Sequence, residues 1–271
     1  MSIARNRLII LAACLALPAG CGKWSPESEP VERSAEVERP ALGLMTSLPL
    51  YWPLGAEMSE ILNGTAEQPW QRPLLESRYE LVLLDTLSPI PALSPDKPDS
   101  DPLAGLERLA VIQPRGLSPA DNVALDQWVR AGGHLLLVLD PMLTGEYDLA
   151  LGDPRRPVDT ALIPPVVARW GLAVGFDETQ ERTVEYAQLP GGRVPMLMEG
   201  FSRVAGGDGG VNGCTSTAQE MKIARCEHVG KGTVTLINDA AVFEHRELAG
   251  DNGAAIAALL DFAFTLPTAN P

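Results

Sequence analysis

The sequence predicts an α/β fold built around a parallel β-sheet, and residues 106–141 carry that prediction. Residues 109–112 form a short apolar run that ends before Pro114 and Gly116, a pattern typical of a buried strand. Residues 134–139 are almost wholly apolar, as expected for a strand covered on both faces. Because a helix is expected between these two strands, the connection should be a right-handed crossover that leaves them parallel in one sheet.

The helix between the two strands has clear start and stop signals. Ser118 is a favoured N-cap, Pro119 suits the first helical position, and Asp121 lies in the first turn, where the helix dipole favours an acid. Gly132 and Gly133 follow the last turn, where positive φ angles are common. Apolar residues recur between these ends at roughly helical spacing: Val123, Leu125, Trp128 and Val129.

Residues 1–21 have the pattern of an export signal. Arg5 and Arg7 provide a positive start, and residues 8–17 form an apolar run too short to span a bilayer, which needs about 20 apolar residues. The end of this segment, LPAGC, resembles a bacterial lipobox, in which Cys21 would be lipidated and become the mature N-terminus. A second lipobox-like segment, LAAC, ends at Cys14, but its apolar run would be only about six residues, which is short of the typical length. Ordinary signal cleavage and an uncleaved anchor are the alternatives.

The composition of residues 22–40 predicts a disordered tether, because Pro, Ser and Glu predominate and few large apolar side chains are available to bury. The folded part is predicted to be a single α/β domain over residues 41–266. Its expected elements, in chain order, are a strand at 41–48, a helix at 54–62, a strand at 79–84, a surface loop at 88–102, the central unit, a turn-rich excursion at 145–157, a helix at 159–170 that Pro164 and Pro165 break or kink, a strand at 172–176, hairpin strands within 181–205, a hairpin over 221–238 and a last helix at 252–264.

Composition and charge narrow the classes of function. The chain has 271 residues, of which 45% are hydrophobic and 21% charged, as is typical of a globular protein. Its formal net charge is −14, with 35 acidic and 21 basic residues. Such an acidic chain is a poor match for nucleic acid or for an anionic lipid surface. We therefore expect no nucleic-acid partner.

Two cysteines follow the export signal. Cys214 and Cys226 lie twelve residues apart around an expected hairpin, and in an exported protein this spacing predicts a disulfide. Two buried thiols are the alternative. No further cysteine and no paired histidine stand at ligand spacing, so we expect neither a metal site nor a cofactor.

Polar residues follow several of the predicted strands. In an open α/β sheet, ligands bind beyond the carboxyl ends of the strands. Five side chains that stand at those ends predict a small-ligand site: Ser47, Asp85, Arg115, Asp140 and Asp239. The alternative is that each acid caps the turn that follows its strand.

Familiar catalytic motifs are absent from the sequence. It contains no G-x-S-x-G or G-x-C-x-G elbow and no Walker-type phosphate loop, which argues against a standard hydrolase and against ATP hydrolysis. Ser47 lies in an elbow position after a strand, but Leu48 and Pro49 follow it instead of a helix-starting glycine. A hydrolase that uses Ser47, Asp140 or Asp239 in an unrecognised arrangement stays open as an alternative.

The central unit resembles a domain of the auxiliary proteins of bacterial ABC transporters, including those associated with gliding motility. Three stretches carry the resemblance: ALGLMTSLPL, LAVIQPRGLSPADNVALDQWVRAGGHLLLVLDP and VGKGTVTLINDAAVFEHRELAGDN. The matching positions are Pro114, Leu117-Ser118, Ala124-Leu125-Asp126, Val129, Gly132-Gly133 and Asp140-Pro141, with Asn238-Asp239 and Asp251-Asn252 near the end.

The resemblance implies a flavodoxin-like, glutamine amidotransferase-like three-layer sandwich with a mostly parallel sheet and a C-terminal β-hairpin extension. In the related amidotransferases a cysteine elbow follows the strand equivalent to residues 135–139, whereas Asp140 and Pro141 stand there in this sequence.

The resemblance thus implies a non-catalytic accessory or binding subunit of an ABC-type transport or envelope system. Its partners would be ABC transporter subunits or other envelope proteins. It would face the periplasm, held to the membrane by a lipid on Cys21, and Gly22 favours the outer over the inner membrane. A hydrolase and a purely structural envelope lipoprotein are the alternatives.

Overall fold

Ten strands, six α-helices and one short 3-10 helix (Asp251–Gly253) run through the part of the chain that the computed structural model describes, residues 39–205, 214 and 220–265. The strands are β1 (Ala41–Thr46), β2 (Glu80–Leu83), β3 (Arg108–Ile112), β4 (His134–Val138), β5 (Leu172–Gly175), β6 (Val184–Leu189), β7 (Gly192–Leu197), β8 (Phe201–Val204), β9 (Ile223–Val229) and β10 (Gly232–Ile237). The helices are α1 (Met58–Asn63), α2 (Gln71–Glu76), α3 (Pro119–Ala131), α4 (Pro165–Arg169), α5 (Ala241–Glu244) and α6 (Ala254–Phe264). The predicted signal at 1–21, with Cys21, and residues 22–38 of the predicted tether lie outside the described residues.

The main sheet has six strands in the order β2-β1-β3-β4-β10-β9. Neighbouring strands from β2 through to β10 run parallel, and only β9 is antiparallel, to β10. The prediction of an α/β fold with a largely parallel sheet is confirmed.

A hydrophobic cluster covers each face of this sheet. Successive side chains on a strand point to opposite sides, so each strand contributes to both clusters. Leu135 and Leu137 of β4 pack in one cluster with Leu125 of α3. Leu136, on the opposite face, packs in a second cluster with Leu259 of α6. Fully burying such a leucine contributes about 2 kcal/mol, so the two clusters together supply most of the driving force for folding.

The central helix α3 begins and ends where the sequence predicts. The Ser118 hydroxyl accepts a hydrogen bond from the backbone N–H of Asp121 at 3.1 Å, and the Asp121 carboxylate accepts one from the backbone N–H of Ser118. Burial alone would raise the pKa of Asp121, but hydrogen bonds from Ser118, Thr86 and nearby backbone groups outweigh it and lower this pKa well below its usual value. Gly132, with φ of 130°, ends the helix.

Other helices differ from the prediction. The helix expected at 54–62 is the shorter α1, and α2 has no counterpart in the prediction. The helix expected at 159–170 is reduced to α4, which begins at Pro165. Pro164 has extended backbone angles (φ −66°, ψ 137°), because a residue that precedes proline disfavours the helical region.

The strands after α4 form two small sheets of their own. The strand expected at 172–176 is β5, which pairs with β8 and is not an edge of the main sheet. Strands β6 and β7 form the hairpin expected within 181–205.

The hairpin expected over residues 221–238 is confirmed as β9 and β10. The resemblance implies that this hairpin extends the sheet, but only β9 lies at the sheet edge, and β10 lies inside the main sheet, between β4 and β9. The reason is visible in its burial: all six residues of β10 are buried, so the strand requires a neighbour on each side and cover on each face.

A disulfide joins Cys214 to Cys226 of β9, as the sequence predicts. Both cysteines are buried in the cluster that contains Trp170 and Leu172. Among the described residues, no helix is long and apolar enough to cross a membrane.

Candidate functional site

The carboxyl ends of the parallel strands form a rim at one edge of the main sheet, and this rim holds the five candidate side chains. The structure divides the five into two groups. Ser47, Asp140 and Asp239 are buried, whereas Asp85 and Arg115 are exposed to solvent.

Gln113, directly after β3, connects two of the buried residues, Ser47 and Asp140. Its backbone carbonyl accepts hydrogen bonds from the Ser47 backbone N–H at 3.2 Å and from the Ser47 hydroxyl at 2.5 Å. Its side-chain amide donates to the carbonyls of Asp140 (3.1 Å) and Val158 (2.9 Å), and its Oε1 accepts from the Asp140 N–H at 2.8 Å. With φ of 45°, Gln113 occupies a backbone region that non-glycine residues seldom adopt.

The Asp140 carboxylate, after β4, binds two backbone N–H groups. Oδ1 accepts from Met142 and Oδ2 from Ala240, both at 2.7 Å. Asp140 is 0% exposed, and this burial raises its pKa to about 7; the two backbone hydrogen bonds oppose the rise, while the charge of Glu244 adds to it.

The Asp239 carboxylate, after β10, has a similar arrangement. Oδ1 accepts from the Ala241 N–H at 2.8 Å and Oδ2 from the Leu197 N–H at 2.7 Å. Burial raises the pKa of Asp239 well above its usual value, and the neighbouring charge of Asp140 raises it further. Each acid thus caps its own turn. Asp140 also holds the β10 loop to the β4 loop, and Asp239 also holds β7 to the β10 loop.

Asn238, next to Asp239, stands at the end of β10 but is not one of the five candidate side chains. Its side-chain amide donates to the Ser202 hydroxyl at 2.6 Å, and its backbone carbonyl accepts from Gly200. Its Oδ1 is buried without a hydrogen-bond partner. A polar residue directly after a buried strand is the sequence signal that places both Asn238 and Gln113 at the rim.

The exposed side of the rim contains a pocket of about 290 Å³. Among its lining residues are Ser47, Asp85, Trp52 and Arg155. The structure therefore brings two of the five candidates, Ser47 and Asp85, into one pocket. Arg155 is held by an ion pair with Asp153 (2.9 Å).

A larger pocket, of about 520 Å³, lies where the loops after β1, β4 and β10 meet the segment around α2. We call it the Gln71 pocket; its principal lining residues are Trp70, Gln71, Tyr147, Phe243, Glu244 and Arg246. None of these was a candidate from the sequence, because each is an ordinary loop or short-helix residue without a motif.

Glu244 is held in place within the Gln71 pocket. Its Oε1 accepts hydrogen bonds from the Gly145 N–H (3.0 Å) and the Tyr147 hydroxyl (2.5 Å), and Oε2 accepts from the Thr144 N–H (3.0 Å). Burial, together with the charge of Glu244, raises the pKa of Tyr147. This hydroxyl therefore stays protonated and acts as a donor to the carboxylate.

No group of three or more His, Cys, Asp or Glu side chains within residues 39–205, 214 and 220–265 is placed to hold a metal ion.

No family model matches the sequence, and no curated protein matches it. Solved structures with some similarity include the exo-β-1,4-mannosidase Op5Man5 from Opitutaceae bacterium strain TAV5, with 14% identity and a TM-score of 0.45. The match covers 84% of this chain but only 36% of the mannosidase chain, so this chain spans about a third of its length. The mmIFT52 N-terminal domain has 12% identity and a TM-score of 0.45, over 84% of this chain and 98% of that domain. A β-galactosidase from Rahnella sp. R3 has 12% identity and a TM-score of 0.42; the match covers 83% of this chain and 31% of the β-galactosidase chain. These likenesses are too weak to assign a function.

Proposed function

We propose that this protein is a non-catalytic binding or accessory subunit of the bacterial cell envelope. The observation that carries the proposal is the set of hydrogen bonds made by the three buried rim residues. The Ser47 hydroxyl and the carboxylates of Asp140 and Asp239 all contact backbone partners. A nucleophile requires a base within hydrogen-bond reach, and Ser47 instead donates to a carbonyl.

The proposal includes a flavodoxin-like, glutamine amidotransferase-like fold. Strands β2-β1-β3-β4-β10 follow the order 2-1-3-4-5 that is typical of flavodoxin-like sheets. Clusters on both faces of the sheet support a three-layer arrangement. In such a fold Asp140 and Pro141 stand after β4, where the resemblance places the catalytic cysteine of the amidotransferases.

The envelope location and the association with an ABC-type system come from the sequence. The lipobox-like segment ending at Cys21 supports a periplasm-facing lipoprotein, with the outer membrane favoured. The disulfide between Cys214 and Cys226 is of the kind that persists in oxidising compartments.

The test uses the full chain expressed in a Gram-negative host. We expect a diacylglycerol-sized mass increment and recovery in the membrane fraction, both lost in Cys21→Ala. Cys14→Ala, the matched control in the same segment, should retain both. Cross-linking of the lipidated chain in cells should then recover subunits of a transporter. An unlipidated wild-type chain in the soluble fraction would contradict the anchor, and a lipidated chain without such cross-links would contradict the transporter association.

A hydrolase is the second candidate, and one observation favours it. Asp140 and Asp239 form a desolvated pair with raised pKa values, a feature that is common at catalytic sites. Both are 0% exposed, so a substrate would reach them only if the β4 or β10 loop moved. Ester, amide and glycoside substrates should be tested with the wild type and with Ser47→Ala and Asp140→Asn. Turnover that these variants abolish while staying folded would replace the first proposal with this one.

A further inference from the structure

We propose that the Gln71 pocket binds a small organic cation with N–H donors, namely an ammonium or guanidinium compound. This inference rests on the proposed function, because it names the ligand of a binding subunit. The volume of about 520 Å³ is within the range typical of small-molecule sites, roughly 300–1,000 Å³.

Gln71 supplies an unpaired hydrogen-bond acceptor. It is 5% exposed, and its Nε2 donates to the Phe243 carbonyl at 2.7 Å. A carbonyl oxygen only accepts hydrogen bonds, so this contact fixes the orientation of the amide and leaves Oε1 as the second polar atom. Oε1 is buried and has no partner. An unpaired buried acceptor is unfavourable, and a donor on a ligand would satisfy it once a small movement of the pocket lining exposes Oε1.

The charges around the pocket favour a cation. The lining contains three acidic side chains, Glu67, Glu146 and Glu244, and one cationic side chain, Arg246. Backbone N–H groups and the Tyr147 hydroxyl already orient the Glu244 carboxylate, so it can receive a ligand donor with little rearrangement. An anionic ligand would meet three carboxylates and would therefore be repelled.

The remaining lining is suited to an organic ion. Trp70 lines the pocket together with Phe243, Leu54 and several prolines. An indole ring attracts cations through its negative face, and the apolar groups accommodate a hydrocarbon chain. The described residues offer no cluster of ligands for a metal ion, which leaves an organic cation as the better match.

The test is calorimetric titration of the full chain with two probes, agmatine and putrescine, compared with neutral 1,4-butanediol and anionic succinate. We expect at least one of the cations to bind and neither control compound to do so. Glu244→Gln and Gln71→Met should each weaken binding about tenfold, which corresponds to about 1.4 kcal/mol. Glu80→Gln makes the same change of charge at an exposed position on β2, outside the pocket, and should leave the affinity unchanged.

The double variant Glu67→Gln/Glu146→Gln replaces Glu244→Gln if the latter does not fold, since it alters only exposed side chains of the lining. The inference is overturned if neither cation binds at millimolar concentration, if succinate binds equally well, or if the pocket variants bind like Glu80→Gln.

Its failure can be distinguished from failure of the proposed function. If cations do not bind while transporter subunits still cross-link to the lipidated chain, only this inference is wrong. If agmatine binds but is recovered chemically altered, the pocket is confirmed and the non-catalytic function is wrong.

Discussion

Replacing Asp140 with Asn tests the electrostatics of the buried rim. The pKa of Asp140 is raised from 3.8 to about 7, chiefly by burial. Between about pH 4 and pH 7 the native state therefore keeps a proton that the unfolded chain releases, so the free energy of unfolding falls as pH rises through this window. At about 1.4 kcal/mol per pKa unit, the total loss is about 4 kcal/mol. Asp239, whose pKa is also raised, contributes with the same sign.

The Asp140→Asn variant should lose the part of the pH dependence of stability that comes from Asp140. The amide does not ionise, and its Nδ2 cannot accept a hydrogen bond from Met142 or Ala240, so one of these N–H groups loses its partner. That loss costs about 1–3 kcal/mol at every pH. We therefore expect the variant to be less stable than wild type at about pH 5, with the difference shrinking or reversing by about pH 8.

The assay is chemical denaturation of both proteins at several pH values. Asp85→Asn, the same chemical change at an exposed rim position, is the control and should follow wild type. Burial, with the nearby Arg108, lowers the pKa of His134, which makes stability rise with pH, but this contribution is common to both proteins and cancels in the difference. A free-energy difference between variant and wild type that stays constant from about pH 5 to about pH 8 would refute the reasoning.

Two further predictions concern stability. Replacing both Cys214 and Cys226 with Ala should lower the free energy of unfolding by about 3 kcal/mol, because the disulfide restricts the unfolded chain by closing a loop. Reductant should lower the stability of the wild type to that of the variant. A wild-type melting temperature that reductant does not change would contradict this prediction. Gly232→Ala should cost about 3 kcal/mol in thermal or chemical unfolding, because the added Cβ would overlap the carbonyl oxygens of Val129 and Gly133. Gly191→Ala, in a hairpin turn with no atom near the added Cβ, is the control and should change stability by less than about 0.5 kcal/mol; equal effects at both glycines would refute the steric argument.

Local signals explain why the central unit could be predicted from the sequence. The cap at Ser118, the stop at Gly132 and the apolar run of β4 each depend on residues adjacent in the chain. The short helix α2 lacks such signals. It has no side-chain N-cap, and its buried Leu75 reports tertiary packing that periodicity does not reveal.

The site was predictable in position but not in its contacts. Asp140 and Asp239 could be placed at the rim because each follows a buried strand. Their hydrogen bonds depend on backbone partners that are distant in sequence, since Ala240 lies 100 residues from Asp140 and Leu197 lies 42 residues from Asp239. The Gln71 pocket is assembled from four separate segments, so no local pattern marks it.

The contacts of the two buried acids explain why carboxylates stand there despite the cost of burial. Each must accept two backbone N–H groups through two separate oxygens, which an asparagine or glutamine side chain cannot do. The same burial raises the pKa of Asp140, and the charge of Glu244 adds to the rise. Glu244 also lines the Gln71 pocket. A cation bound beside Glu244 would offset part of its charge and favour ionised Asp140. Cation binding, as proposed, would therefore be linked to the protonation of Asp140 through Glu244. Calorimetric titration at about pH 6 and about pH 8 should show tighter binding at the higher pH, and equal affinity at both would contradict the linkage.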